Sequence, residues 1–256
     1  MGRRRWSASR AARRRRSRAG TALATLVSVL LAGVLLTATD VGADAGLPDL
    51  LGARRPTGHV VGVTQVQLDR ARDDLASLEV AGRAPMTGYD RDQFGQAWAD
   101  ADRNGCDTRN DVLRRDLTDV VLDERTGGCV VLTGTLVDPY GGGTIAFERG
   151  ERSADVQVDH VVALADAWQK GAQQWTPAQR ELFANDPANL LAVDGPLNQQ
   201  KGAGDAATWL PPERGFRCRY VLLQVRVKAA YGLRVTAAER DAMDRWLDRC
   251  VVVEGP

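Results

Sequence analysis

At 256 residues the chain is long enough for one sizeable domain, with or without an appendage. Its 34 basic and 33 acidic residues give a formal net charge of +1, but nine arginines and no acid fall within residues 1–18. Residues 19–39 then run without charge and are rich in Leu, Val and Ala, an order that excludes a buried core helix and reads as an export signal.

That apolar run is about twenty residues, enough to span a bilayer as an uncleaved anchor as well. Ala43-Asp44-Ala45 offers small residues for cleavage after Ala45. Residues 1–45 are therefore expected to be a signal peptide or signal anchor, and the rest of the chain to be secreted or held at the outer face of the membrane through residues 19–39. Removing 1–45 takes nine of the 34 basic and two of the 33 acidic residues, leaving a net charge of about −6. Indiscriminate binding of nucleic acid, which needs a basic surface to replace phosphate counterions, is disfavoured.

Residues 46–65 contain Pro48, Gly52, Pro56, Gly58 and Gly62 and read as a tether. Leu68, Ala71, Leu75 and Leu78 follow at helical spacing, so residues 46–85 are expected to be a flexible linker with a short amphipathic helix. The folded domain is placed at 86–256. Its first element is expected to be a helix from Asp90 to about Asp102, with Phe94, Ala97 and Trp98 on one face. Asn104 to Asp111 reads as a turn and a helix start, followed by a helical run through Val112, Leu113 and Leu117. Within it, Asp107 and Arg109 are either an ion pair or a phosphate contact, since Arg offers two parallel donors.

All four cysteines, Cys106, Cys129, Cys218 and Cys250, lie in the exported portion, and an even count there reads as two disulfides. Of the three connectivities, Cys106–Cys129 with Cys218–Cys250 is favoured because each loop is local. No C-x₂-C pair supports a Cys₄ zinc site.

Cys129–Val137 is β-branched and apolar and predicts a strand; Asp138 to Gly143 is a turn, with a return strand over 144–147. Gln157–Val161 predicts another strand, and Leu164, Ala167 and Trp168 a helix ending at Gly171. Thr176-Pro177 is an N-cap and first-turn proline opening a helix to about Ala184. Asn189–Val193 predicts a strand and Asn198 the opening of a short helix. In the tail, Tyr220–Tyr231 and a helix begun by the Thr236/Glu239 capping box complete the set.

The chain holds only two histidines, and His160 directly follows Asp159 in an otherwise apolar run. Alone, the pair is either chemistry or a buried polar couple. Asp159-His160 on a strand, Asn189 at the next strand and Asn198 at a helix form one ordered set. Val158-Asp159-His160-Val161-Val162, Asn185 to Val193, and Asn198-Gln199-Gln200-Lys201-Gly202 together resemble the HNH endonucleases. They are most similar to exported proteins related to the C-terminal nuclease domain of GmrSD-type restriction enzymes. Gly105-Cys106-Asp107-Thr108-Arg109 and Trp209-Leu210-Pro211-Pro212 extend the resemblance to roughly residues 89–250.

The resemblance implies an α+β fold: a ββα-metal (HNH) core with additional helices and a short β-hairpin, stapled by two disulfides. It implies a metal-dependent endonuclease in which His160 is the general base and Asn189 orients its ring. Asp159 and Asn198 would bind one divalent metal, Arg109 would contact the substrate, and Lys201 would contact the substrate phosphate or support the loop, although Lys201 reads equally as a solvated surface lysine. Asn198 stands where the founding pattern has a histidine, and two hard oxygen ligands suit Mg²⁺ or Mn²⁺ better than zinc. The expected substrate is DNA, with RNA an alternative. A histidine of ordinary basicity would make activity rise through about pH 6–7. The rival readings are a non-catalytic, disulfide-stapled surface module and a hydrolase of another phosphodiester.

Overall fold

The computed structural model describes residues 62–254; the N-terminal signal or anchor expectation lies outside them. Among the described residues no helix is long and apolar enough to cross a membrane.

Thr64 caps helix α1 (Gln65–Ser77): its hydroxyl accepts from the Gln67 amide, and the Gln67 side chain accepts from the Thr64 amide. Leu68, Ala71 and Leu75 are buried as their spacing predicts, but α1 is no part of a linker. It packs with the two tail helices, α6 (Arg217–Ala230) and α7 (Ala237–Leu247), through Val221, Val225, Met243 and Leu247. Parallel bridges Val63–Val252 and Val80–Val235 stitch both ends of this segment to the tail. From Gly62 onward the expected tether is therefore folded, because its apolar stripe has a partner too distant in sequence to be foreseen. Cys218–Cys250 ties the start of α6 to the end of α7, and Cys106–Cys129 ties the entry to α2 to the entry to β2, the connectivity expected.

Two further expectations fail. Asp90–Asp102 is not a helix. Only Arg91–Phe94 makes a 3₁₀ turn, capped by the Asp90 carboxylate and ended by Gly95 at φ 74°. Phe94 sinks between Tyr89, Trp168 and Phe183, and the following backbone bonds outward to Asn185 instead of to itself. Helix α2 (Thr108–Asp116) forms under an Asp107 cap but stops before Leu117. Leu117–Leu122, with β-branched Thr118, Val120 and Val121, becomes strand β1. The expected hairpin of β2 (Val131–Val137) and β3 (Thr144–Glu148) is therefore two strands of a three-stranded antiparallel sheet, order β1-β2-β3.

Strand β4 (Val156–His160) pairs antiparallel with β5 (Leu190–Asp194), His160 opposite Leu190 and Val156 opposite Asp194. Between them lie α3 (Leu164–Gln169) and α4 (Pro177–Ala184), the latter with the Thr176 capping box and first-turn proline read from the sequence. Helix α5 (Gly195–Lys201) leaves β5 at once, its first turn capped by Asp194, whose Oδ1 accepts from the Leu197 amide at 2.8 Å. Asn198 sits within α5, not at its start, and Asn189 ends a 3₁₀ turn just before β5.

A buried charge cluster joins these parts. Lys170 contacts Asp166 (2.6 Å), Asp205 (2.8 Å) and Glu239 (2.6 Å); Lys228 contacts Asp166 (2.8 Å) and Glu239 (3.0 Å); Arg83 reaches Asp205 at 2.5 Å. Three cations thus face three carboxylates, joining α3, α6, α7 and the loop after α5. Burial alone would raise the pKa of Asp205, but Lys170 and Arg83 outweigh it and hold the carboxyl at about 2. Because the folded value lies below the unfolded one of about 4, this carboxylate stabilises the fold above pH 4 and ceases to as pH falls toward 2. The stability gap between wild type and Asp205→Asn in urea is accordingly expected to be constant from pH 7 to 5 and to narrow from about pH 4 downward. A gap unchanged to pH 2.5 would contradict this assignment.

Candidate functional site

His160 closes β4 and is buried. Its Nε2 lies 2.8 Å from the carbonyl oxygen of Ala184, at the end of α4. A carbonyl only accepts, so Nε2 carries the proton, and in the neutral ring Nδ1 keeps the lone pair. Trp98 stacks against the imidazole at 6.1 Å between centroids and 14° between planes. Burial lowers the pKa of the ring; Arg91 and Lys201 lower it further, and the Ala184 bond opposes them only in part, so the value falls to about 4. His160 is therefore neutral from about pH 5 upward, and desolvation takes the ring out of the ordinary range on which the expected rise through pH 6–7 rests.

Among the described residues Asn189 makes no hydrogen bond to the ring. Its backbone oxygen accepts from the Val161 amide at 2.8 Å; its Oδ1 accepts from the Val162 amide at 2.8 Å, and its Nδ2 donates to the Val162 oxygen at 3.3 Å. It latches the chain just beyond His160, and the hydrogen bond of the ring goes to the Ala184 carbonyl.

Asp159 is engaged on both oxygens. The Tyr140 hydroxyl donates to Oδ2 at 2.5 Å, and Lys201 Nζ donates to Oδ1 at 2.9 Å and to the His160 backbone oxygen at 2.8 Å. Burial raises the pKa of this carboxyl despite Lys201 and Tyr140. Lys201 is fully buried in this pairing, not free for a substrate. Arg109, on α2, stands 5.9 Å over the Phe147 ring of β3, and among the described residues no ion pair joins it to Asp107, which caps the helix instead.

Two cavities flank His160. The larger, about 340 Å³, is walled by Gln157, Asp159, Asn198 and Gln199 among others; the smaller, about 100 Å³, by Phe94, Gln96, Ala97 and Trp98. The structure thus gathers His160, Asp159 and Asn198 at one cleft and leaves Lys201 and Arg109 off its walls. Among the described residues no three His, Cys, Asp or Glu side chains cluster as a ligand set. The donors at the cleft are the Asp159 carboxylate, with two of about four lone-pair sites taken, and the Asn198 amide oxygen, since Asn198 Nδ2 donates to Gln157 at 2.9 Å. Such a sparse, all-oxygen set fits a divalent ion that keeps most of its waters, bound weakly because Lys201 already offsets the carboxylate.

Tyr140, Trp98, Arg91 and the Ala184 carbonyl were not singled out from the sequence. Tyr140 lies in a glycine-rich turn and Ala184 acts through its backbone, so neither carries a local signal.

The description "GmrSD restriction endonucleases, C-terminal domain" matches residues 107–246, more than half of the chain. The chain belongs to this nuclease-type family. An "uncharacterized secreted protein" of Arthroderma benhamiae is 40% identical over 182 residues, covering 70% of this chain and 84% of its own length. No solved structure matches.

The burial of Lys201 has a direct check. Lys201→Met leaves a carboxylate unpaired in the interior and is expected to cost about 3–5 kcal/mol in urea denaturation. A solvated lysine would change stability by no more than about 0.5 kcal/mol, and that result would contradict the pairing.

Proposed function

We propose that this protein is an exported endonuclease that hydrolyses phosphodiester bonds of DNA, with His160 as general base. The observation that carries the reading is the His160 ring: neutral, fixed through Nε2 to Ala184, with no hydrogen bond to Nδ1 among the described residues, and on the wall of a cleft shared with Asp159 and Asn198. The order β4, β5, α5 around it is read as a ββα-metal core, and membership of a family named for restriction endonucleases supports that reading. Export is supported by two disulfides, by the basic-then-apolar N-terminus and by the secreted relative.

In this mechanism His160 Nδ1 takes a proton from water as the water oxygen joins phosphorus. The bond from phosphorus to the sugar oxygen breaks, and that oxygen leaves protonated from solvent. The Ala184 carbonyl stabilises the imidazolium so formed, as a hydrogen-bond acceptor from Nε2–H. Asp159 and Asn198 would hold a Mg²⁺ or Mn²⁺ ion, which when bound offsets charge at the phosphoryl group and the leaving oxygen.

A non-catalytic binding module is the second reading, and one observation favours it: Asp159 is already paired with Lys201 and Tyr140. Supercoiled plasmid separates the two. With Mg²⁺ or Mn²⁺ the oxidised protein is expected to nick and linearise it, EDTA to stop the reaction, and His160→Ala to slow it by about 10²-fold or more. An intact plasmid, or equal cleavage by His160→Ala, would remove the proposal.

A further inference from the structure

Lys201 and Arg109, the cations expected to meet the substrate, are engaged elsewhere: one with Asp159, the other over Phe147. A polyanion reaching a domain of net charge about −6 still needs positive charge at the cleft.

The two cavities beside His160 have three wall residues in common: His160, Leu164 and Arg91. Among the described residues Arg91 is also the one lysine or arginine on either wall. Its guanidinium is exposed and makes no ion pair or hydrogen bond among the described residues. The neighbouring carboxylate of Asp90 accepts from the Asp92 amide at 3.0 Å, and Asp92 lies on the wall of the smaller cavity alone. The stretch after Arg91 is held in place. Phe94 is buried, Arg180 Nε donates to the Gln93 oxygen at 2.8 Å, and Asn185 holds Gln96 and Ala99 at 3.2 and 3.0 Å. An unengaged, two-pronged donor on a fixed turn beside the reacting histidine is what a phosphate diester requires.

We infer that Arg91 binds the DNA backbone phosphate at the His160 cleft, taking the role that the sequence pattern assigns to Lys201 and Arg109. The inference rests on the nuclease reading for its substrate. It goes beyond the family relationship, because Arg91 lies outside the matched stretch 107–246.

The test is binding of a fluorescent DNA duplex by anisotropy, in EDTA to prevent cleavage, across 25–200 mM salt. Arg91→Ala is expected to weaken binding about tenfold at low salt. It should also make the slope of log K against log[salt] shallower by about 0.9, the loss of one phosphate contact. Arg91→Lys should keep the slope and recover part of the affinity, and Arg125→Ala, an exposed arginine paired with Asp123, should bind like wild type. Equal affinity and slope for Arg91→Ala and wild type would overturn the assignment, as would wild type failing to bind the duplex. Plasmid cleavage run alongside separates the two claims. Cleavage with unaltered Arg91→Ala binding sinks Arg91 alone, whereas Arg91-dependent binding without cleavage supports Arg91 and sinks the nuclease.

Discussion

A single buried ion pair, Lys201 with Asp159, fixes the geometry on which the site depends. Lys201 ends α5 and Asp159 precedes His160 on β4, so the pair clamps helix to strand across 42 residues of chain. The same ammonium holds the His160 carbonyl, and Tyr140 reaches Asp159 from the turn after β2. Burying a charge without such partners costs several kcal/mol, so the three groups assemble together or not at all. Because side chains alternate along a strand, fixing Asp159 toward Lys201 and Tyr140 sends His160 the other way, toward Ala184 and Trp98. The two neighbours thus meet different partners while both remain on the wall of the larger cavity.

Around this clamp the fold supplies rigidity from two sources. Asn189 satisfies three backbone groups of Val161 and Val162 and stops the chain from fraying just past His160. The charge cluster of Arg83, Lys170, Lys228, Asp166, Asp205 and Glu239 locks the loop after α5 to α3, α6 and α7. One disulfide ties the entry to α2 to the entry to β2, and the other ties the start of α6 to the chain just past α7. The cleft is therefore walled by parts that have little freedom to adjust, which favours a preorganised site.

What could be read from the residues was what local chemistry encodes. Thr176-Pro177 and Thr236 with Glu239 announced their helices through capping, and of the three connectivities four cysteines allow, the favoured sequence-local one is formed. Asp159, His160 and Asn198 converge because their order along strand, strand and helix carries the arrangement. The rest depended on partners remote in sequence. The 3₁₀ turn at Arg91 replaces a helix because Phe94 and Asn185 draw the chain elsewhere. Strand β1 exists because β2 is there to pair with it. Lys201, expected at the substrate phosphate, in support of the loop or in solvent, is buried against Asp159, whose other oxygen accepts from Tyr140, and no motif points to a backbone carbonyl such as that of Ala184.

The central claim is that His160 stands as a neutral base with Nδ1 open. Long-range ¹H–¹⁵N NMR of the oxidised protein reports it directly, and the chain's two histidines keep the spectrum simple. The account predicts one ring in the Nε2–H tautomer at pH 7 that stays neutral until the pH approaches about 4, a signal absent from His160→Ala. An Nδ1–H tautomer, or a His160 that titrates near the ordinary value of about 6.5, would contradict it.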